Sequence, residues 1–202
     1  MTPTPREIQS ELTKQKILDA AIQLFSRKGF RSTSLSDLVQ ATGLTKGALY
    51  HHFKNKDSLF YAVLENLRFL WRERVFRDML EKQSALERLE TLFDNHARLI
   101  EERETFCLVL SSLVMEMDNV NAEFMDALRE IFADLTALIQ RIIEKGQESG
   151  EIRRDLDPRL LALNLVGMME GNSIPWILNR GRVNYQKMSR TQRHILLNGL
   201  KG

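Results

Sequence analysis

A single cysteine, Cys107, among 202 residues leaves no partner for an intrachain disulfide, which fits a reducing compartment. Glycine and proline are scarce, at 10 and 4 residues, and there is no low-complexity tract, so neither a collagenous nor a disordered chain is expected. Long apolar runs are missing too. The most apolar stretch, residues 160–169, is interrupted by Asn164 and falls far short of the roughly 18 to 20 residues that span a bilayer. Residues 1–6 carry Pro3 and Pro5 and no apolar core for a signal peptide, so a cytoplasmic location without membrane attachment is expected. No HExxH, phosphate-loop or nucleophile-elbow pattern occurs, and His96, Cys107 and Glu116 follow no metal-ligand spacing. Neither catalysis nor a metal nor a resident cofactor is expected.

What is present is a composition that can bury a core, with 43% hydrophobic and 28% charged residues, and a charge asymmetry hidden by the net +2. Residues 1–60 hold nine basic and five acidic residues, a net +4, against 20 basic and 22 acidic in the remainder, a net −2. A basic small module on a slightly acidic larger one suits a head that binds a polyanion.

Nearly every segment has helical period, so the chain reads as all-α with about nine helices. A first helix over 13–28 carries Ile17, Ala20, Ala21, Leu24 and Phe25 on one stripe, with Gly29 placed to end it. Ser34 with Asp37 three residues on starts a short second helix. A turn through Gly43 leads to a third helix over 45–53, with Thr45 as a plausible N-cap and Leu49 and Phe53 facing inward. A fourth helix can run from Asn55 to about Lys82, roughly 40 Å at ~1.5 Å per residue. Further helices are expected from Ser84, with Glu87 three residues on, through Ile100, over 105–117 and 122–145, from the Asp157-Pro158 start until Pro175 kinks or ends it, and over 184–200, with Gly146 and Gly150 bracketing the end of the 122–145 helix.

Two short helices around a glycine turn, preceded by a longer one, are the layout of a helix-turn-helix head whose second short helix reads DNA. The reader's outward residues, Thr45, Lys46, Gly47, Tyr50 and His51, are small or hydrogen-bonding, and Lys46 can donate to guanine O6 or N7. Lys56 stands at the positive end of the next helix dipole, where a lysine is unfavourable unless an anion is also present, so it is expected to hold a phosphate. Thr33 and Ser34 can donate to phosphate or serve only as caps.

The runs Thr33-Ser34-Leu35-Ser36-Asp37-Leu38-Val39, Gly43-Leu44-Thr45-Lys46-Gly47-Ala48-Leu49-Tyr50-His51-His52-Phe53 and Asn55-Lys56-Asp57-Ser58-Leu59 resemble the DNA-binding domain of the tetracycline-repressor (TetR) family of bacterial transcriptional regulators. The resemblance implies a flexible arm over 1–12, a DNA-binding domain over 13–62, and a ligand-binding and dimerisation domain over 63–202. It also implies a homodimer reading a palindromic operator, usually as a repressor. By position, Thr45, Lys46, Gly47 and His51 would lie against bases. Thr33, Ser34, Tyr50, His52 and Lys56 would hold phosphates, and Ser36 could do either.

In the larger half, a small apolar or amphipathic effector is expected against Phe69, His96, Leu99, Phe106, Leu110, Met115, Glu116, Phe124 and Trp176, because methionine and aromatic walls suit greasy ligands. The dimer interface is expected on the last two helices, through Leu161, Leu165, Met168, Met169, Ile195, Leu196 and Leu200. The alternatives are a regulator that needs a corepressor or protein partner, and a helical carrier or enzyme whose basic head is incidental.

Overall fold

The computed structural model of the chain describes residues 3–118 and 121–201, apart from the side chain of Cys107. Among the described residues it is helical throughout, with one isolated antiparallel bridge between Ile152 and Lys201. No described helix is long and apolar enough to cross a membrane. The chain divides into two compact units, Met1–Leu67 with Leu108–Leu128, and Arg68–Cys107 with Arg129–Gly202.

The first unit is built on α1 (Pro5–Lys28), α2 (Leu35–Thr42), α3 (Lys46–His52) and most of α4 (Lys56–Leu70). α1 begins eight residues earlier than the apolar stripe alone suggests. Thr4 and Glu7 form a reciprocal capping box and Pro5 supplies a preset first turn, so part of the expected arm is helix. Ile17, Ala21, Ile22 and Phe25 bury its core face, and Gly29 ends it at φ +84°. Ser34 and Asp37 cap α2 reciprocally, and Gly43 closes it in the left-handed conformation. The unit also takes α7 (Thr105–Met117) from Leu108 onward and the first turns of α8 (Ala122–Ser149). The reason is aromatic packing. Phe124 at the start of α8 stacks on Phe60 with centroids 4.1 Å apart and meets Phe30 edge-on at 5.7 Å, while Phe30 also meets Phe25 edge-on at 5.1 Å. The compact unit therefore takes in residues of α7 and α8 that lie outside 13–62.

The second unit contains α5 (Arg77–Leu80), α6 (Ala85–Glu102), the rest of α8, α9 (Pro158–Gly171), α10 (Ser173–Leu178) and α11 (Tyr185–Leu200). The expected single helix over 55–82 is interrupted by a π-helical turn, Trp71–Phe76, and Asn95 Nδ2 donates to Val75 O within it at 3.1 Å. α6 packs along α11, where Arg193 reaches Glu90 at 3.2 Å and Asp94 at 2.5 Å. Gly146 lies inside α8 rather than at its end. A β-carbon there would stand 2.7 Å from Ile152 Cδ1 and 2.8 Å from Ala85 Cβ, so close packing and not a cap explains this glycine. Only Gly150, at φ +83°, terminates the helix. The α9 break comes at Gly171, four residues before Pro175, because the proline ring would collide with that carbonyl in a continuous helix.

Candidate nucleic-acid interface

Thr45 caps α3 by accepting from Ala48 N at 3.1 Å, and Leu49 and Phe53 are buried beneath it. That anchoring turns Lys46, Gly47 and His51 outward, with Tyr50 51% exposed and Thr45 and Ser36 also at the surface. A β-carbon on Gly47 would meet nothing nearer than Thr45 Oγ1 at 3.9 Å. Glycine inside a helix costs about 1 kcal/mol relative to alanine, and nothing in the protein's packing calls for it here. It leaves bare backbone in the middle of the exposed face. His52 is half-buried, and its imidazole pKa is pushed down by burial and then by neighbouring His51, with Glu11 acting in the opposite direction. Asp37 is held well below the usual carboxylate range, first by Lys28 at 2.7 Å and then by Ser34, so Lys28 braces α2.

Three of the residues expected to hold phosphate, Lys56, Thr33 and Ser34, make hydrogen bonds within the protein. Lys56 Nζ donates to the carbonyls of Phe30, Arg31 and Thr33 at 3.0, 3.1 and 3.1 Å and lies 4.5 Å from the Phe30 ring centre. Three carbonyls, rather than an external anion, offset the unfavourable helix-start position. Burial lowers its pKa, while Asp57 and Glu116 oppose that shift. Thr33 is buried and donates its hydroxyl to Gly29 O at 2.7 Å, and the Ser34 hydroxyl is shared with Asp37. Removing Lys56 as Lys56→Ala should cost about 1 to 2 kcal/mol in a urea melt. The salt slope of DNA binding should stay unchanged, whereas a phosphate contact would flatten it by about one unit.

The residues expected to meet an effector are divided between the two units. Glu116 accepts from Phe30 N and Arg31 N at 3.1 and 2.9 Å, and Phe124 belongs to the aromatic cluster of the first unit. Met115 is 82% exposed, Phe69 is half exposed with Arg72 over its ring, and Leu110 is core of the first unit. His96, Leu99, Phe106 and Trp176 belong to the second unit, the first three of them buried. Trp71, which periodicity does not single out, stands beside two of them, 5.4 Å from the His96 ring and 6.3 Å from Phe106. Tyr185 links His96 at 6.5 Å to Trp176 at 5.3 Å. Trp71 Nε1 and Glu170 Oε2 are enclosed without a hydrogen-bond partner among the described residues, and burial raises the Glu170 carboxyl to about 7.

Burial lowers the His96 imidazole from 6.5 to about 4. The unfolded chain thus takes up the proton first as pH falls. The stabilisation from a neutral His96 is complete above pH 6.5 and is lost between about 6.5 and 4, a change of roughly 3 kcal/mol. Glu170 acts with the opposite sign, losing its contribution as pH rises from 4.5 through about 7. Comparing Tm from pH 4 to 7 for wild type and His96→Leu isolates the histidine, and parallel curves would remove it as the cause.

Of the expected interface residues, Leu165, Met169 and Leu200 are buried within the protomer, because the faces carrying them pack into the second unit's own core. Leu161 is half-buried. Met168, Ile195 and Leu196 instead line an apolar groove of about 560 Å³ between α9 and α11, with Val183 and Met188.

A family profile described as "Bacterial regulatory proteins, tetR family" matches residues 17–63, and a second, "Tetracyclin repressor-like, C-terminal domain", matches residues 85–191. The chain is similar to the fatty acid metabolism regulator protein of Bacillus subtilis (strain 168), 24% identical over 92% of this chain and 94% of that one. It is also similar to the HTH-type transcriptional repressor KstR2 of Rhodococcus jostii (strain RHA1), 27% identical over 99% and 98%. Among solved structures, the regulator FadR from Bacillus subtilis in complex with stearoyl-CoA superposes with a TM-score of 0.79, at 24% identity and covering 93% of this chain and 99% of that one.

Proposed function

We propose, from the premise that this chain belongs to the tetR family of bacterial regulatory proteins, that it works as a dimeric repressor whose α3 reads a palindromic operator and which an apolar or amphipathic effector releases. It is a DNA-binding transcriptional regulator and not an enzyme. The observation that carries the reading role is the α3 surface, where Leu49 locks the helix while Lys46, bare Gly47, Tyr50 and His51 face outward. Thr45 and Ser36 stand beside them, and His52 is half-buried behind.

Two protomers would join through the α9–α11 groove, placing two readers about 34 to 36 Å apart, one turn of the duplex. Symmetric closure supplies an identical groove opposite each one. The effector would enter the second unit near Trp71, His96, Phe106 and Trp176. There the unpartnered indole N–H favours a ligand that brings a hydrogen-bond acceptor on an apolar body. The stearoyl-CoA complex of a relative supports trying long-chain acyl thioesters first. Because coupling is reciprocal, operator and effector should weaken each other's binding by the same factor. Such a regulator acts in the cytoplasm.

The test is selection from a random duplex pool at fixed near-physiological salt, followed by titration of the enriched duplex complex with stearoyl-CoA and with free stearate. Enrichment of a palindrome and its release by either compound would support the reading. Release by neither would turn the search to other effector classes, while no enrichment by folded protein would remove the free form as the DNA-binding form.

A further inference from the structure

We infer that Glu116, which lies 53 residues beyond the matched helix-turn-helix segment in sequence, is a positioning residue for DNA reading. Its carboxylate seats on the backbone N–H groups of Phe30 and Arg31, in the turn that joins α1 to α2. That turn opens with Gly29 at φ +84°, and a β-carbon on Gly29 would overlap Glu116 Oε1. The positive-φ glycine and the two N–H groups after it make a small anion-binding concavity, which the protein fills with its own side chain.

The opposite polarity of the same turn is held from α4. Lys56 takes the carbonyls of Phe30, Arg31 and Thr33, so a carboxylate on one helix and an ammonium on another hold both senses of one backbone segment. α7 adds a further tie, Ser112 Oγ donating to Phe25 O at 3.3 Å in the last turn of α1. Thr33 N and Oγ1 close on Phe30 O and Gly29 O, and the next residue, Ser34, caps α2. The direction in which α2 leaves the turn, and with it the placement of α3, thus rests on two charged side chains that never reach the reading surface.

This inference rests on α3 being the reader, and it makes a prediction whose sign separates geometry from charge. Removing a carboxylate from a DNA-binding head should by electrostatics alone tighten binding to every duplex. Loss of positioning should weaken binding to the specific duplex only, because loosely held readers still attract phosphate but no longer meet base edges together.

The experiment uses the full chain with Glu116→Ala, Glu116→Gln and Glu116→Asp. Each is measured against the duplex enriched by wild type and a scrambled duplex of equal length, over a range of salt. Melting and sedimentation establish that each variant is folded and assembled as wild type. For Glu116→Ala, affinity for the enriched duplex should fall roughly tenfold or more, with the scrambled duplex held or slightly tightened and the salt slope unchanged. Glu116→Gln keeps one acceptor and should fall less. Glu116→Asp keeps the charge on a stem too short to reach the turn and should resemble Ala. Amide hydrogen exchange at Phe30 and Arg31 should quicken in step. Unchanged or tighter binding to the enriched duplex by folded variants would overturn the inference, and so would equal weakening on both duplexes. A wild type that enriches no duplex would sink the reader assignment and this inference with it.

Discussion

Replacing Lys46 with alanine should blur the enriched palindrome at one base position in each half-site and cost about 1 to 3 kcal/mol of specific binding. Lys46 is exposed at the first position of α3, and Thr45 and Leu49 fix the helix beneath it, so the truncation removes a donor without disturbing the fold. Gly47→Ala makes the complementary case. The added methyl meets open space in the free protein, and alanine favours the helix by about 1 kcal/mol, so Tm should rise slightly. Against DNA the same methyl stands where bare backbone approaches, and affinity should fall. Repeating the pool selection and the melts with both variants checks the pair. An unchanged preference in Lys46→Ala together with full affinity in Gly47→Ala would move the reading surface away from α3.

Placing a charge in the α9–α11 groove should have the larger effect. Ile195 is 68% exposed in the protomer, so Ile195→Asp removes little packing and should leave the melting of each protomer near wild type. In a symmetric interface the substitution occurs twice and buries two unpaired carboxylates, which opposes assembly. Sedimentation should give a monomer. Operator affinity should fall by about 10² to 10⁴, because the second head no longer binds as a tethered partner. Half-site preference should survive, since α3 is untouched. A variant that sediments and binds as wild type does would place the interface elsewhere.

Local rules account for much of the molecule. The capping pairs Ser34 with Asp37 and Ser84 with Glu87, the left-handed Gly43, and the start at Asp157-Pro158 are each settled within about four residues, and each appears where the sequence puts it. The same rules recover the exposed face of α3, because Leu49 and Phe53 can have only one side of a seven-residue helix. Where a local rule met two outcomes it was less decisive. Thr4 and Glu7 extend α1 into residues that lack an apolar stripe, and the 55–82 helix takes a π-helical turn that no breaker residue marks.

The sequence by itself determined the helical elements, the helix-turn-helix and the family, since these rest on periodicity, caps and turn glycines that act between near neighbours. Only the tertiary structure decided which polar groups face inward. Lys56 has the profile of a phosphate ligand until the carbonyls of Phe30, Arg31 and Thr33 are seen around it. Glu116 has the profile of an effector contact until the turn 85 residues away supplies its two N–H partners. Leu165, Met169 and Leu200 could be core or interface with equal hydrophobicity, and only packing separates them from Ile195. The reason is common to all three cases. Desolvation and hydrogen bonding depend on what surrounds a group in space, and contacts spanning scores of residues leave no periodic trace along the chain.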